Sequence, residues 1–379
     1  MKILLIIDYL GSGGAQRQIT NLALGLQARG VTVTLAVYHF SDADIFRPAI
    51  EAAGIPIFNI TKTSKYSLEV PAALRRAMKQ GRYDAVISFL DAPNIYAELA
   101  KLGVPGQTLI VSERLSYLAE TGWLFSRLRR VLHAIASVVV SNSHSQTEWL
   151  RRFPWLRRKA RTIYNGYPIT EYQPLDPPGA GPLKLLAVGR ISPQKNPKAL
   201  AQAFVDLHRK IGKIPQLTWV GRVESGADTL YRETCDIIDG YAPLKQNWVW
   251  AGEHSDVMPF FRDCHALVHP SLYEGLPNVV CEALMAGRPV LVSDMCDNAL
   301  LAGRNRERGL VIPDLTAQAI ATTMEALYDI CDEQWRTWSA NARDHAVNNL
   351  KIETMCDAYL ALVQELVARR TPVTGGAGQ

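Results

Sequence analysis

Residues 269–290 read HPSLYEGLPNVVCEALMAGRPV. The short apolar run 266–268 before them indicates a buried strand, and a Gly/Pro turn then leads into a helix whose first turn suits Pro277. Two carboxylates, Glu274 and Glu282, flank the start of this helix. Because a helix N-terminus offers unpaired backbone N–H groups and a positive dipole end, it suits a phosphate, while carboxylates beside it suit ligand hydroxyls. The stretch therefore predicts a pocket for a ligand that carries both phosphate and sugar.

The composition is that of an ordinary globular enzyme. The chain has 379 residues, of which 48% are hydrophobic and 20% charged, and two domains are expected because single cores stop growing at roughly 250–300 residues. No apolar run approaches the ~20 residues of a membrane span, and residues 1–8 are expected to form a first strand rather than a signal peptide. The six cysteines show no C-x-x-C spacing, so neither a zinc site nor a disulfide framework is predicted, and a reduced, cytoplasmic setting is expected.

The positive charge is concentrated in the first half of the chain. The net charge is +5, and within 120–162 nine Lys and Arg residues stand against only Glu120 and Glu148. Aromatic residues are interleaved with these arginines, a composition typical of contact with an anionic membrane surface, to which each basic residue adds ~1 kcal/mol. The alternative is a solvated basic face with the aromatic residues in the core, and nucleic acid is not predicted because no recognition motif accompanies the charge. We therefore expect peripheral attachment at the inner face of the cell membrane through 120–162.

Short apolar runs alternate with helical patterns on both sides of a Pro/Gly-rich stretch at 173–182. Continuous apolar strands alternating with helices indicate parallel sheets covered on both faces, and the stretch between the two series lacks periodicity, as expected of a linker. The predicted fold class is α/β, with two doubly wound Rossmann-like domains, 1–172 and 183–350, and a cleft between them. A last helix at about 352–370 is expected to pack back on the first domain, and 371–379 is expected to be disordered.

Glycine turns stand at the start of each predicted domain. The first strand leads into Gly13 and Gly14, where the missing side chains let the backbone approach a ligand, although a merely tight turn is the alternative. The second domain begins with a strand that leads into Gly189-Arg190 and then Lys195. Arg190 can hold a diphosphate in its planar fork and Lys195 can add a compact second charge, each such hydrogen bond contributing roughly 1.5–3 kcal/mol. The alternative is a lysine that caps a turn beside a solvated arginine.

Three motifs together resemble one enzyme family. They are Gly13-Gly14-Ala15-Gln16-Arg17, Gly189-Arg190 followed by Lys195-Asn196-Pro197, and Glu274-Gly275-Leu276-Pro277 with Glu282. In order and spacing this combination resembles the retaining nucleotide-sugar glycosyltransferases of family 4, which have the GT-B fold. The two glutamates are similar to the E-x7-E pair of that family, and the combination is far more specific than any one motif.

The resemblance implies catalytic and donor-binding roles for three side chains. Arg190 and Lys195 resemble the pair that holds the donor diphosphate and stabilises the leaving nucleoside diphosphate, because fixed positive charge stabilises the negative charge that develops as the glycosidic bond breaks. Glu274 resembles the residue that binds hydroxyls of the donor sugar. Since cations of the protein take the place of a metal, the resemblance implies that neither a metal nor another cofactor is needed.

The resemblance also implies the remaining donor contacts. Glu282 resembles the residue that binds the ribose. The backbone N–H groups of Gly275, Leu276 and Asn278 are expected near the phosphates, and Gly14 is expected against the diphosphate from the other domain.

Six polar residues of the first domain are candidates for acceptor binding: Gln16, Arg17, Asp91, Glu113, Arg114 and His144. Position 16 is glutamine where many relatives have glutamate. Glu113 and Arg114 resemble the Ser-Glu-Arg of members that extend lipid-linked or polysaccharide glycans, and the alternative is a buried ion pair. Asp91 and His144 each follow a strand, and a structural role is the alternative for His144. The sequence predicts no histidine as catalytic base in this domain.

One motif points to a metal and is set aside. Asp42-Ala43-Asp44 is a D-x-D, the metal motif of the other major glycosyltransferase fold, but it stands in a polar loop after the second strand. We expect these acids to be solvated and no metal to bind.

The sequence therefore predicts a metal-independent, retaining transferase of a hexose-class sugar from a nucleoside-diphosphate donor, with UDP as the expected nucleotide. The acceptor is expected to be a glycan or a polyprenyl- or otherwise lipid-linked glycan in surface polysaccharide or glycoconjugate assembly. Two alternatives stay open: a GT-B sugar-nucleotide epimerase, which would need no acceptor, and a non-catalytic, membrane-associated glycan-binding subunit.

Overall fold

The computed structural model describes residues 1–11, 13–40, 44–64, 67–114, 123–169, 176–177 and 181–369. The expected linker at 173–182 lies outside the described residues except at 176–177 and 181–182, and the expected disordered tail at 371–379 lies wholly outside them. The chain forms two compact units, Met1–Gly166 with Lys351–Gln379, and Tyr167–Leu350.

The strands and helices alternate along both units. The strands are Lys2–Ile6 (β1), Thr32–Val37 (β2), Ile57–Asn59 (β3), Ala85–Phe89 (β4), Thr108–Glu113 (β5), Val138–Ser141 (β6), Ala160–Thr162 (β7), Lys184–Val188 (β8), Gln216–Val220 (β9), Trp248–Gly252 (β10), Ala266–His269 (β11), Val290–Ser293 (β12) and Gly309–Ile312 (β13). The helices are Gly14–Gln27 (α1), Arg47–Ala52 (α2), Glu69–Gly81 (α3), Asp91–Lys101 (α4), Trp123–Leu132 (α5), His144–Leu150 (α6), Pro197–Ile211 (α7), Asp228–Asp239 (α8), Ala242–Lys245 (α9), Met258–Asp263 (α10), Asn278–Met285 (α11), Asn298–Ala302 (α12), Ala317–Glu325 (α13), Asp332–Asn349 (α14) and Ile352–Ala368 (α15).

The first unit is built on a seven-stranded parallel sheet in the order β3-β2-β1-β4-β5-β6-β7. Strand β1 is flanked by β2 and β4, and Ile3 pairs with Val33 on one side and with Ala85 on the other. The run from Ile3 to Ile7 is completely buried, because helices cover both faces of a parallel sheet. This double burial explains why the strands are continuous apolar runs in the sequence.

The last helix, α15, belongs to the first unit. It packs against α1, where a side chain at Gly25 would collide with the sulfur of Cys356, so the glycine permits this close approach. Met355 and Tyr359 of the same helix join the hydrophobic core of the first sheet. The C-terminal helix therefore contributes to the core of the domain that begins the chain.

The boundary between the units lies earlier than the predicted residue 172. Tyr167 belongs to the second unit, because its backbone N–H donates to the Leu350 carbonyl at 2.8 Å and its hydroxyl donates to Asn278 Oδ1 at 2.6 Å. Gly166 stays with the first unit, where its N–H donates to Gln18 Oε1 at 2.8 Å. The boundary between the two units thus follows from specific hydrogen bonds and not from the composition of the chain.

The second unit is built on a six-stranded parallel sheet in the order β10-β9-β8-β11-β12-β13. Strands β8 and β11 are neighbours, so the loops that follow them leave the same edge of the sheet side by side. Ligands of such sheets bind outside the carboxyl ends of the strands. Within the ranges that the structure describes, no helix has the length and apolar character needed to cross a membrane.

Candidate active site

The loops after β8 and β11 bring Lys195 and Glu274 into contact. Nζ of Lys195 lies 2.5 Å from Oε1 of Glu274, and both side chains are largely buried. Gln194 joins the same two loops, because its Nε2 donates to the Tyr273 carbonyl and its own carbonyl accepts from the Leu272 N–H, both at 2.8 Å. The lysine and the glutamate, both predicted to bind the donor, therefore form one constellation at the carboxyl edge of the second sheet.

Two glycines shape the loop that carries Lys195. Gly189 has φ +142°, and a Cβ there would lie 2.9 Å from Cε of Lys195, so the lysine stem passes directly over this backbone. Gly221, with φ +151°, follows the neighbouring strand β9, and a Cβ there would run into the Gly189 carbonyl. That carbonyl accepts from Trp219 Nε1 at 2.9 Å. At Gly221 the close packing of the two loops excludes a side chain, and at Gly189 the positive φ favours glycine.

The Glu274 carboxylate is held in its ionised form. Burial alone raises the pKa of the Glu274 carboxyl, but the hydrogen bond with His269 and the charge of Lys195 outweigh it and lower that pKa to about 2. Nε2 of His269 lies 3.0 Å from Oε1 of Glu274 and 3.0 Å from the Ser271 hydroxyl. Burial and the nearby Lys195 lower the pKa of His269, which is therefore neutral at pH 7 and can donate through one ring N–H. A buried, ionised carboxylate of this kind can accept hydrogen bonds from sugar hydroxyls.

Arg190 lies apart from the Lys195–Glu274 pair. Its side chain is 58% exposed and forms an ion pair with Glu224 in the loop after β9. The two loops run alongside each other, since the Ile191 N–H donates to the Arg222 carbonyl at 2.8 Å. Arg190 and Lys195, predicted together as a diphosphate pair, thus have different carboxylate partners, and the pairing of Arg190 with Glu224 is a contact that the sequence did not reveal.

The start of α11 carries the remaining donor-site candidates. Asn278 is the first residue of the helix, and the Cys296 thiol donates to the Gly275 carbonyl just before it. The Leu276 side chain is buried, so only its backbone is a candidate for ligand contact. Glu282 lies four residues into the same helix and is half-buried. The first N–H groups of a helix have no partner inside it, which keeps this end suited to an anion.

The residues of the glycine turn in the first unit differ in their exposure to solvent. Gly14 opens α1 and is exposed, as is Arg17. Gln16 is buried, and its Nε2 donates to Asp8 Oδ1 at 3.1 Å. Burial raises the pKa of the Asp8 carboxyl, which stands directly after β1. Gln16 therefore supports the turn from inside, whereas Gly14 and Arg17 are open to solvent.

Glu113, at the end of β5, is the centre of a buried network and is only 1% exposed. Its Oε1 lies 2.9 Å from Nε2 of His133, and its Oε2 accepts from Gln146 Nε2 at 2.7 Å. Nδ1 of His133 lies 2.6 Å from Oε1 of Glu98, so the fully buried imidazole bridges two carboxylates. Burial would lower the pKa of His133, but these two carboxylates raise it to about 9. The predicted acceptor contact at Glu113 is not exposed to solvent.

Arg114 turns to other partners. Its guanidinium donates to Asn165 and, at 2.9 Å, to the Tyr359 hydroxyl, and it stacks on the Phe89 ring at 3.8 Å from the ring centre. Because Tyr359 lies on α15, this arginine fastens the C-terminal helix to the sheet. Both Glu113 and Arg114 are buried, and the partners described here for Glu113 differ from those described for Arg114.

Asp91 and His144 follow β4 and β6, which lie on either side of β5 in the same parallel sheet. Asp91 opens α4 directly after β4 and forms an ion pair with Arg129. His144 opens α6, is exposed, and has its Nδ1 3.4 Å from the Thr162 hydroxyl at the end of β7. The structure thus gathers part of the acceptor-side candidates at one edge, as parallel topology requires.

Only some of the arginines in the basic segment 120–162 lie on the surface of the protein. Arg129 is buried between Asp91 and Glu113, and Arg130 is 1% exposed, with its guanidinium 3.9 Å from the centre of the Trp149 ring. These two arginines therefore do not face solvent, contrary to the membrane interpretation of the whole segment. On the exposed part of α5, Leu128 and Val131 are 57% and 54% exposed.

The D-x-D motif falls partly outside the described residues, which include Asp44 but not Asp42. Asp44 is buried rather than solvated, because its carboxylate accepts from the Leu10 N–H at 3.2 Å and pairs with Arg47 at 3.3 Å. Across the described ranges, no cluster of three or more His, Cys, Asp or Glu converges on a position for a metal ion.

Comparison with known proteins agrees with this architecture. A sequence profile described as "Glycosyltransferase Family 4" matches residues 12–171, and one described as "Glycosyl transferases group 1" matches residues 182–329. A solved structure of HepE from Anabaena in complex with UDP superposes with a TM-score of 0.81 at 18% identity, covering 96% of this chain and 100% of that one.

Two curated relatives are glycosyltransferases with named substrates. One is the GalNAc-alpha-(1->4)-GalNAc-alpha-(1->3)-diNAcBac-PP-undecaprenol alpha-1,4-N-acetyl-D-galactosaminyltransferase of Campylobacter jejuni, 24% identical over 97% of this chain and 99% of its own length. The other is the UDP-Gal:alpha-D-GlcNAc-diphosphoundecaprenol alpha-1,3-galactosyltransferase of Escherichia coli, 27% identical over 56% of each chain. With one family profile on each domain and the two parallel-sheet domains of the GT-B fold, this chain belongs to the family 4 glycosyltransferases.

Proposed function

We propose that this glycosyltransferase moves one hexose-class sugar from a UDP-sugar to a lipid-linked glycan acceptor, with retention of anomeric configuration and without a metal. The observation that carries the proposal is the contact of Lys195 with Glu274 at the carboxyl ends of two adjacent strands. It unites a cation for phosphate and a carboxylate for sugar hydroxyls in one place. The epimerase and the non-catalytic subunit are not favoured by any contact in this site.

The chemistry follows from the charges. As the bond between the sugar and the diphosphate breaks, negative charge grows on the leaving UDP, and fixed cations stabilise it without reorganisation. Lys195 supplies one such charge beside Glu274, and Arg190 supplies a second from the same loop after β8. These side chains take the role that a metal ion has in other transferases. The ionised Glu274 accepts hydrogen bonds from the donor sugar and holds it against the leaving group.

The substrates are proposed from the relatives. Both curated relatives act on acceptors linked to undecaprenyl diphosphate, one of them with a UDP-linked sugar, and the Anabaena structure contains UDP. A lipid-linked acceptor also accounts for the exposed apolar side chains Leu128 and Val131 beside the exposed Arg127. We propose that this part of α5, with the exposed arginines at 151–158, rests on the cytoplasmic face of the membrane.

The experiment combines the purified chain with UDP- and GDP-sugars and a polyprenyl-diphosphate-linked N-acetylhexosamine, with mass spectrometry of the products. One sugar should be added from a UDP donor, in the presence of EDTA as well as of Mg²⁺, and nuclear magnetic resonance should show the anomeric configuration of the donor retained. An arm with donor alone detects epimerisation. An epimerised donor, or no transfer from any donor, would refute the proposal.

A further inference from the structure

The two oxygens of the Glu274 carboxylate differ in their surroundings. Oε1 is 2.5 Å from Nζ of Lys195 and 3.0 Å from Nε2 of His269. Oε2 has no hydrogen bond or ion pair to any residue in the part of the chain that the structure describes. One oxygen is therefore anchored to the protein and the other is left for a ligand.

The two anchors differ in stiffness. Lys195 reaches Oε1 through a flexible four-carbon stem, so alone it would let the carboxylate pivot. His269 is the last residue of β11, is 2% exposed, and has its backbone fixed by pairing with Val292 of β12. The fixed strand and the short, planar side chain hold the imidazole, and through it the carboxylate, in one orientation.

Ser271 contacts the same ring nitrogen of His269 as Glu274 does. The fully buried Ser271 hydroxyl lies 3.0 Å from Nε2 of His269, and the Ser271 carbonyl accepts from the Ser293 hydroxyl at 2.8 Å. When Nε2 of His269 carries a proton, its main hydrogen-bond acceptor is Glu274 Oε1 and not the Ser271 hydroxyl, because a hydrogen bond to a carboxylate is stronger than one to a hydroxyl. Through Ser271 the support continues into β12.

We propose that His269 is a positioning residue that determines donor-sugar specificity, by fixing Glu274 so that Oε2 alone meets a hydroxyl of the donor sugar. The inference rests on the proposed function, in which Glu274 binds that sugar. A sugar whose hydroxyl meets Oε2 gains a hydrogen bond to a charged group, whereas an epimer without it leaves a largely buried carboxylate oxygen unpaired. The expected discrimination is roughly ten- to hundred-fold.

Three variants separate this role from general stability. His269→Leu removes the N–H that donates a hydrogen bond to Glu274, and leucine suits the buried end of a strand. His269→Gln restores an N–H near the position of Nε2. His265→Leu is the matched control, since His265 precedes the same strand at its opposite end, where its Nδ1 accepts from the Lys184 N–H at 3.0 Å.

The experiment measures by calorimetry the Kd values of UDP, UDP-glucose, UDP-galactose, UDP-N-acetylglucosamine and UDP-N-acetylgalactosamine for all four proteins, after melting curves have shown that each is folded. The wild type and His265→Leu should prefer one UDP-sugar over its epimer and over UDP itself. His269→Leu should bind UDP within about two-fold of the wild type but lose at least ten-fold of that preference, and His269→Gln should regain part of it.

The outcomes distinguish the inference from the proposed function. A His269→Leu protein that keeps the wild-type preference, or a wild type that binds both epimers equally, overturns the role of His269 while leaving the donor assignment intact. A wild type that binds none of the four UDP-sugars overturns the proposed donor and the inference with it.

Discussion

Nζ of Lys195 lies 2.5 Å from Oε1 of Glu274, although 79 residues separate them in the chain. The contact exists because β8 and β11 are neighbours in a parallel sheet and the loops that follow them leave the same edge. Lys195 and Glu274 neutralise each other. When a donor binds, the lysine can contact its diphosphate and the glutamate its sugar. Removal of either partner should therefore impair donor chemistry, and it also leaves the other charge largely buried without its partner.

Replacement of Lys195 by methionine should reduce kcat/KM for sugar transfer by about 10²–10³-fold, because one fixed positive charge is lost where the leaving diphosphate gains negative charge. Steady-state kinetics with the UDP-sugar identified by the screen measures this. Lys198→Met is the control, since Lys198 is exposed nearby on α7 and pairs with Glu233. An equal loss in both variants would show that the effect is not specific to Lys195.

Arg190 and Glu224 should have opposite effects on UDP binding. Arg190→Gln should raise the Kd of UDP by about ten-fold, the value of one hydrogen bond to a charged group. Glu224→Gln should leave the Kd unchanged or lower it, because it frees Arg190 from its ion pair. Calorimetry with UDP gives both values. A Kd that rises equally in the two variants would indicate that the ion pair itself, rather than the arginine, supports binding.

The buried His133 should make stability depend on pH. The pKa of His133 is raised to about 9 by Glu98 and Glu113, so its charged form adds stability that is fully present below pH 6.5 and lost as pH rises through about 9. The difference in free energy of unfolding between the wild type and His133→Gln should shrink between pH 6.5 and 10. Urea unfolding followed by circular dichroism measures it, and a difference that stays constant with pH would contradict a charged, buried histidine.

The basic segment should divide into structural and surface arginines. Arg130→Met should lower the free energy of unfolding by about 2–4 kcal/mol, because the buried guanidinium stacks on Trp149 and its hydrogen-bond partners are left unpaired.

The combined change of the exposed Arg152, Arg157 and Arg158 to serine should leave stability unchanged and reduce flotation with anionic liposomes. Unchanged flotation of this triple variant at 0.1 M salt would argue against membrane contact through these residues.

The sequence carries the fold more clearly than the details of the site. The strands could be predicted because those of a doubly covered parallel sheet are continuous apolar runs, and Glu274 and Lys195 could be singled out because their motifs are specific. The burial of Arg129 and Arg130 could not be predicted, because a cluster of arginines has the composition of a surface and the carboxylate and aromatic partners of these two are distant in sequence.

Two further residues illustrate why the rest could not be foreseen. His269 ends an apolar strand, where a histidine is more often structural, and only the turn of the following loop brings Glu274 to it. His133 follows α5, and its partners Glu98 and Glu113 stand on a helix and a strand that precede it. The first contact depends on the conformation of one loop and the second on tertiary packing, and neither follows from the spacing of the residues.

The role of Glu274 is tested by the rate of sugar transfer from the UDP donor to the lipid-linked acceptor by Glu274→Gln, with Glu233→Gln as the matched control. Glutamine keeps the shape of Glu274 and can still accept from Lys195 and His269, but it lacks the negative charge. We predict that kcat/KM falls at least 10²-fold in Glu274→Gln while this variant stays folded at the assay temperature and the activity of Glu233→Gln stays close to that of the wild type. Near-normal transfer by folded Glu274→Gln would contradict the proposed role of the Glu274 carboxylate in binding the donor sugar.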